Sequence, residues 1–410
     1  MGKRIGALAF IFVCTSVAWV ILGGVTTSRT AEQDFKLKNA VGQLWGTVQK
    51  QYAPYVFYQT SEEKQITTYT GNEKIVEKRV ETTDHPINLA SSDVSVDLKL
   101  EHRRKGLLWY STYKVGFKSS YKVVNTTDQT RDILFEYYFP TTEGVYDNFS
   151  FEIDSVETKG VKPENGKIQY ANLMKPGESH EVAVSYESQG MDEWWYIFGS
   201  SVSHIENFNL AMTTDFKKID FPENSISPTE KEASGQGWKL NWNYRDLISG
   251  IQIGMKMPQK VNPGPFVSRV TFFAPVSLFL FLFLMFIIVT LGQVKVHPMN
   301  FFFICAAFFT FHLLLAYLAD HLDINLALIV SSVVSIFLVI SYMRLVTGAR
   351  FAFLQTGISQ AVYLVLFSYT FFLEGYTGLA VTILCIITLF IVMQMTGKID
   401  WEKQFGKGSK

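Results

Sequence analysis

The chain has 410 residues, and its 37 basic and 37 acidic side chains cancel while 48% of the sequence is hydrophobic. About 28 of the basic and 32 of the acidic residues fall between Val25 and Arg269, a slight negative excess that excludes a nucleic-acid-binding surface there, and three cysteines are too few for a disulfide scaffold. The apolar residues gather in six long runs, one near the N-terminus and five after Phe272, which is the pattern of a membrane protein.

A bilayer core about 30 Å thick needs roughly 20 helical residues. The first run, Ile5 to Gly24, meets that length and follows Lys3 and Arg4. It exceeds an ordinary signal core, no small-x-small cleavage site follows it, and Ile11, Phe12 and Val13 are too bulky before Cys14 for lipoprotein processing. Residues 1–25 are therefore expected to be an uncleaved anchor. Residues 26–45 read as a polar juxtamembrane helix, with Phe35, Leu37 and Val41 too sparse for a strong core stripe.

From residue 46 to 269 the period changes to two. Asp93 to Leu100 alternates polar and apolar, and Lys114 to Val124, Asp132 to Phe139, Phe149 to Val156, Glu181 to Tyr186 and Trp238 to Trp242 are further short β-rich runs. Turn signals separate them, among them Pro163 to Gly166, Lys175 to Glu178 and Gly235-Gln-Gly237. The spacing predicts antiparallel sheets packed face to face, as one β-sandwich or two joined ones.

Residues 270–397 carry the remaining spans. The second is expected to run from Pro275, at the first helical position, to Gly292, after a stiff non-helical entry at Asn262 to Pro265. Pro298 opens the third, which ends at Leu318; Ile324 to Leu345, Phe351 to Phe372 and Thr377 to Met395 follow, and residues 398–410 form a basic tail. Lys3, Arg4, Lys295, Arg344, Arg350 and the tail lysines fall on one side of an alternating six-helix path. The connections on the other side carry Asp320, Asp323 and Glu374 without Lys or Arg, so both termini are expected inside and the β-rich segment outside. All three cysteines lie inside spans, leaving the outer segment to hold itself by a core alone.

Val296-His-Pro-Met-Asn300, Phe311-His312-Leu-Leu-Leu-Ala-Tyr-Leu318 and Gly397-Lys-Ile-Asp-Trp401 resemble the CreD family of bacterial inner-membrane proteins, most strongly from Thr271 to Trp401. The resemblance implies a membrane α + β protein of one N-terminal span, a large periplasmic domain and a C-terminal helical bundle. It further implies a Gram-negative inner membrane and a role in envelope integrity or envelope stress, and supplies no catalytic residue.

Enzyme signatures are absent from the outer segment. His180-Glu181 lacks the second histidine of a zinc-protease helix, and His85, His102, His180 and His204 show no metal-ligand spacing, so neither metal nor cofactor is expected. Trp194, Trp195 and Tyr196 after Asp192-Glu193 admit two readings: an aromatic platform for a sugar or wall fragment, or ring bulk anchoring the sandwich core. Within the spans no Asp, Glu, Lys or Arg occupies the middle, which argues against ion-coupled transport. The polar residues there are His312, Ser331, Ser332, Ser335, Gln355, Gln360 and Gln394. With a tight hairpin over Ala319 to Asp323, His312 and Ser331 share a depth roughly 10 Å from the outer boundary, Gln360 lies near the middle, and Gln394 lies near the inner boundary. Such groups fix helix packing, worth about 0.6–2 kcal/mol each, or line a polar cavity, or, at His312, form a protonation switch. The first functional expectation is a non-enzymatic envelope protein whose partners are the lipid bilayer and an unidentified envelope component. A transporter or flippase-like conduit through the bundle is the second, and a sensor acting through a membrane partner the third.

Overall fold

The structure, a computed structural model, describes residues 2–70, 73–106, 108–158, 160–199, 201–373 and 375–397. The basic tail, Glu374 and the side chains of Lys3 and Arg4, all used in the orientation argument, lie outside what is described. Six helices are long and apolar enough to cross a bilayer. They are α1 (Gly2–Trp45), α2 (Pro263–Leu291), α3 (Pro298–Leu318), α4 (Ile324–Thr347), α5 (Phe351–Phe372) and α6 (Thr377–Thr396). The chain divides into two compact units: Met1–Lys36 with Val261–Lys410, and Leu37–Lys260.

The anchor and the polar stretch after it are one helix of 44 residues, whose last turns belong to the second unit. The second span differs from expectation, beginning at Pro263 with Pro275 inside it. Neither Pro263 nor Pro265 needs an N–H partner in the first turn, so the pair opens a helix as readily as it stiffens a loop. Pro275 then removes one internal hydrogen bond, which neighbouring helices make tolerable in a membrane. Helices α1 and α2 meet through small residues: Thr27 Oγ1 and Ser268 Oγ are 2.5 Å apart, and a Cβ on Gly264 would collide with the Thr30 side chain. Near that crossing Arg29 of α1 bonds the Ala316 carbonyl at 3.1 Å and Asp320 at 2.8 Å.

The remaining helices begin where their caps dictate. The His297 ring accepts from the Met299 N–H ahead of α3, and Asp323 Oδ1 accepts from the Asn325 N–H at 2.9 Å ahead of α4. Helix α5 is irregular, with π-helical turns over Phe351–Gly357 and Ala361–Leu366 on either side of a short α-helical piece at Ile358–Gln360. Only 17% of the apolar window of α1 and 11% of that of α6 are buried, against 56% for α2, so α2 is central and the other two form the rim.

The β-unit contains three sheets. The largest has eight strands, β4 (Ser91–Lys105), β5 (Leu108–Val124), β7 (Tyr146–Ile153), β8 (Val156–Glu157), β10 (Ser179–Met191), β12 (Ser203–Thr214), β13 (Glu230–Ser234) and β14 (Gly237–Ser249). A four-stranded sheet holds β2 (Tyr55–Thr70), β3 (Glu73–Pro86), β6 (Arg131–Tyr138) and β9 (Lys167–Met174). A three-stranded sheet joins β1 (Gln49–Tyr52), β11 (Glu193–Ile197) and β15 (Ile253–Lys256). One continuous core lies among them, with Val94, Val96 and Leu98 of β4 meeting Ile133 and Phe135 of β6 and Trp194 and Tyr196 of β11. The sandwich expectation holds, but pairing is mixed: β12 lies parallel to β4 and β1 parallel to β11. Parallel partners arrive from distant chain segments, so no local turn announces them. The last turns of α1 add a satellite core, in which Val41 is buried with Leu108, Tyr110 and Met191, while Arg103 lies 3.4 Å above the Trp45 ring. The helix stops where Gly46 adopts φ +93°, its N–H returning 2.9 Å to the Gly42 carbonyl.

Candidate functional site

The polar groups expected inside the bundle separate into two sets. His312, Ser331 and Gln360 are buried, whereas Gln394 and Gln355 are exposed on the surfaces of α6 and α5. Ser335 Oγ donates to the Ala307 carbonyl of α3 at 2.7 Å, and Gln360 Nε2 of α5 donates to Ser335 Oγ at 2.9 Å, so one chain of hydrogen bonds ties three helices together. His312 lies five residues after Ala307 and Ser331 four residues before Ser335. At 1.5 Å of rise per residue they stand within ~2 Å of one level, though their side chains do not bond each other. The His312 ring meets Trp19 of α1 edge-on at 5.5 Å, and its Nδ1 lies 3.4 Å from the Phe308 carbonyl. His312 is thus held in an aromatic pocket.

Sequence reasoning missed the partners from other helices. Ser277 Oγ of α2 donates to the Tyr363 carbonyl, a backbone group in the second π-helical turn of α5. The Tyr363 hydroxyl lies 2.7 Å from Thr388 Oγ1 of α6. Thr388 already donates to Leu384 O, so Tyr363 is the donor. Spacing held the signal, since Thr356, Gln360 and Tyr363 recur at three and four residues and therefore share one helical face. Those three, with Ser277, Ser331, Ser335 and Thr388, form a buried polar seam inside an otherwise apolar bundle.

In the β-unit, alternation along β11 divides the aromatic triplet. Trp194 and Tyr196 are fully buried in the core, and only Trp195 lies on the other face. The Trp195 ring covers Gly254 of β15, where an added Cβ would come within 2.8 Å of it, and its Nε1 donates to Glu193 Oε2 at 2.9 Å. The three rings thus form no common platform. Deeper in the core, Gln51 Oε1 accepts from the hydroxyls of Tyr137 and Tyr186, each at 2.9 Å. Burial raises the pKa of Tyr113, Tyr137, Tyr186 and Tyr196 well above 10.0, and that of Tyr121 to about 12.

A groove of ≈ 470 Å³ opens over the large sheet, with Asp97 and Lys99 of β4, Lys114 of β5, Asp147 of β7 and Glu187 of β10 among its walls. Gly116 forms part of the lining and offers no side chain to fill it. The volume suits a small ligand or a few residues of a larger one. Its walls present ammonium and carboxylate groups together, with Lys99 and Asp97 paired at 3.2 Å. Among the described residues no group of three or more His, Cys, Asp or Glu side chains is placed to hold a metal.

One membrane helix, a β-sandwich inserted after it and five further helices define a multi-pass membrane protein with a large β-domain. The chain belongs to the CreD family, whose model, described as inner membrane protein CreD, matches residues 1–402. It is accordingly a multi-pass inner-membrane protein. No curated protein sequence matches the chain. Among solved structures, the chain is similar to a nutrient-binding protein from Legionella pneumophila at 11% identity and TM-score 0.29, over 55% of this chain and 74% of that one. It is also similar to a mutant M1 zinc metallopeptidase from Deinococcus radiodurans, at 10% identity and TM-score 0.24, over 41% of this chain and 42% of that one. Both TM-scores are too low to bear on function.

Proposed function

We propose that this protein is a non-enzymatic component of the bacterial envelope that supports envelope integrity or the response to envelope stress. In this reading the β-domain faces the periplasm and binds another envelope component. The observation that carries it is the insertion of a complete β-sandwich, Leu37–Lys260, between two membrane helices. Tethering at both ends raises the domain's effective concentration toward anything at the membrane surface. The sidedness rests on Lys295, Arg350 and Arg344 in the last turn of α4 at one end of the spans and Asp320 and Asp323 at the other. The mixed charges of the groove favour a ligand carrying both ammonium and carboxylate groups.

The test uses the full chain in intact cells. Reporter fusions within the β-domain establish its side, and photo-crosslinking side chains at Lys99 and Glu187 probe the groove, with exposed Lys231 as control. The expected result is a periplasmic domain and a discrete adduct from both groove positions that Lys231 does not give. A cytosolic domain, or groove positions that capture no more than Lys231 does, overturns the reading.

A further inference from the structure

We propose that the bundle binds ordered water between α4 and α5, held by Gln360 Oε1, Ser331 Oγ and Thr356 Oγ1. All three residues are fully buried, and none of these three atoms has a hydrogen-bond partner among the described residues. The lipid core supplies no water from outside, so a buried polar atom at that depth needs an internal partner.

The orientation of the Gln360 amide follows from its neighbour. Ser335 has one hydroxyl hydrogen and gives it to the Ala307 carbonyl, so it accepts from Gln360, and the Gln360 group facing it is the NH₂. Oε1 then points away from Ser335 as an unused acceptor. The two hydroxyls are equally distinctive. Elsewhere in the bundle Ser332, Thr310, Thr382, Thr388 and Thr396 each donate to the carbonyl four residues back in their own helix. That is the ordinary resort of a hydroxyl in a membrane helix. Ser331 and Thr356 do not take it. For Thr356 the cause is local, because it lies in the first π-helical turn of α5, where the winding displaces the carbonyl four residues back.

The three atoms mark two intervals along the bundle, one on each side of the Ser335–Gln360 contact. The Ser335–Gln360 contact sets the level; Ser331 lies one turn from it along α4 and Thr356 one turn from it along α5, each about 6 Å in rise. Because α4 and α5 are joined by a short connection at Gly348 and run antiparallel, those turns lie on opposite sides of the contact. One or two waters, with hydrogen bonds of about 2.8 Å, span each interval. Water suits the set, since Oε1 needs a donor and each hydroxyl both gives and accepts. The close approach of the helices is set by Gly357, where an added Cβ would lie 2.9 Å from Ile340 Cδ1 of α4.

The test uses the full chain in lipid nanodiscs. Thr356→Val and Ser331→Ala remove a hydroxyl with little change of shape. If the hydroxyls bind water, each variant lowers Tm by about 2–4 °C. If they are simply unsatisfied, removing them leaves Tm unchanged or raises it, and the proposal fails. X-ray radiolytic footprinting of the unaltered protein is the second measurement and decides the matter if a variant does not fold. Radicals formed from bound water should hydroxylate the ring of buried Tyr363, and that added hydroxyl should retain ordinary oxygen after a brief exchange of bulk solvent into ¹⁸O-water. No hydroxylation of the Tyr363 ring, or hydroxylation that carries the bulk label at once, overturns the proposal.

Discussion

Gln51 shows how much one side chain can organise. It is fully buried in the β-domain; its oxygen accepts from Tyr137 and Tyr186, and its NH₂ donates to the Tyr52 and Tyr138 carbonyls at 2.8 and 3.1 Å. Every hydrogen-bonding position of the amide is used. Replacing it by leucine leaves two phenol hydroxyls without an acceptor, so Gln51→Leu should destabilise the domain by about 2–5 kcal/mol in urea unfolding followed by tryptophan fluorescence. Gln49 provides the comparison. It also donates twice, to Ser188 and the Gln189 carbonyl, but its own oxygen has no partner among the described residues, and Ser188 keeps its bond to Val145. Gln49→Leu should therefore cost clearly less than Gln51→Leu, and equal losses would contradict this account of the network.

At the scale of elements, legibility followed periodicity. Asp93 to Leu100 reads as a strand because Val94, Val96 and Leu98 face the core while Asp93, Asp97 and Lys99 do not. The aromatic run in β11 hides the same alternation because Trp194, Trp195 and Tyr196 are all large. The structure resolves it, and Trp194→Ala should cost about 3–5 kcal/mol, whereas Trp195→Ala, removing a half-buried ring, should cost much less in the same unfolding assay. The start of α2 was obscured differently, since proline marks both helix openings and loops. The contact of Gly264 with Thr30 was invisible because it joins residues far apart in the chain. The Thr30 Cβ, which no rotation of the side chain moves, would itself lie 2.9 Å from an added Cβ. Gly264→Leu should lower the Tm of the helical unit, consistent with ~1–3 kcal/mol of overpacking, and Thr30→Ala should recover part of the loss by removing the atoms that collide. No recovery in the double variant would show that α1 and α2 do not meet there.

For the whole molecule, the six spans were readable because their length is set by the bilayer, a constraint external to the fold. The polar seam was only partly readable: His312, Ser331 and Gln360 stand out by residue type, but the π-helical turns that turn Thr356 away from its own helix leave no compositional mark. Which tyrosines meet in the interior of the β-domain was not readable, because they come from strands paired over long distances. Those phenols give the molecule a pH limit that can be measured. Unfolded, they ionise near 10.0; folded, burial holds Tyr121 to about 12 and raises Tyr113, Tyr137, Tyr186 and Tyr196 well above the ordinary value. An acid that keeps its proton more firmly in the folded state contributes stability that is complete below the unfolded pKa and is lost as pH rises toward the folded one. Each such phenol removes up to about 1.4 kcal/mol per pH unit in that window. The β-sheet circular dichroism should therefore hold to about pH 10 and collapse cooperatively above it, with most phenolate absorbance appearing in the same step. Tyr121→Phe should move the midpoint upward. Phenolate absorbance that is complete before the sheet signal changes would mean that these hydroxyls are open to solvent and that the core is not packed as described.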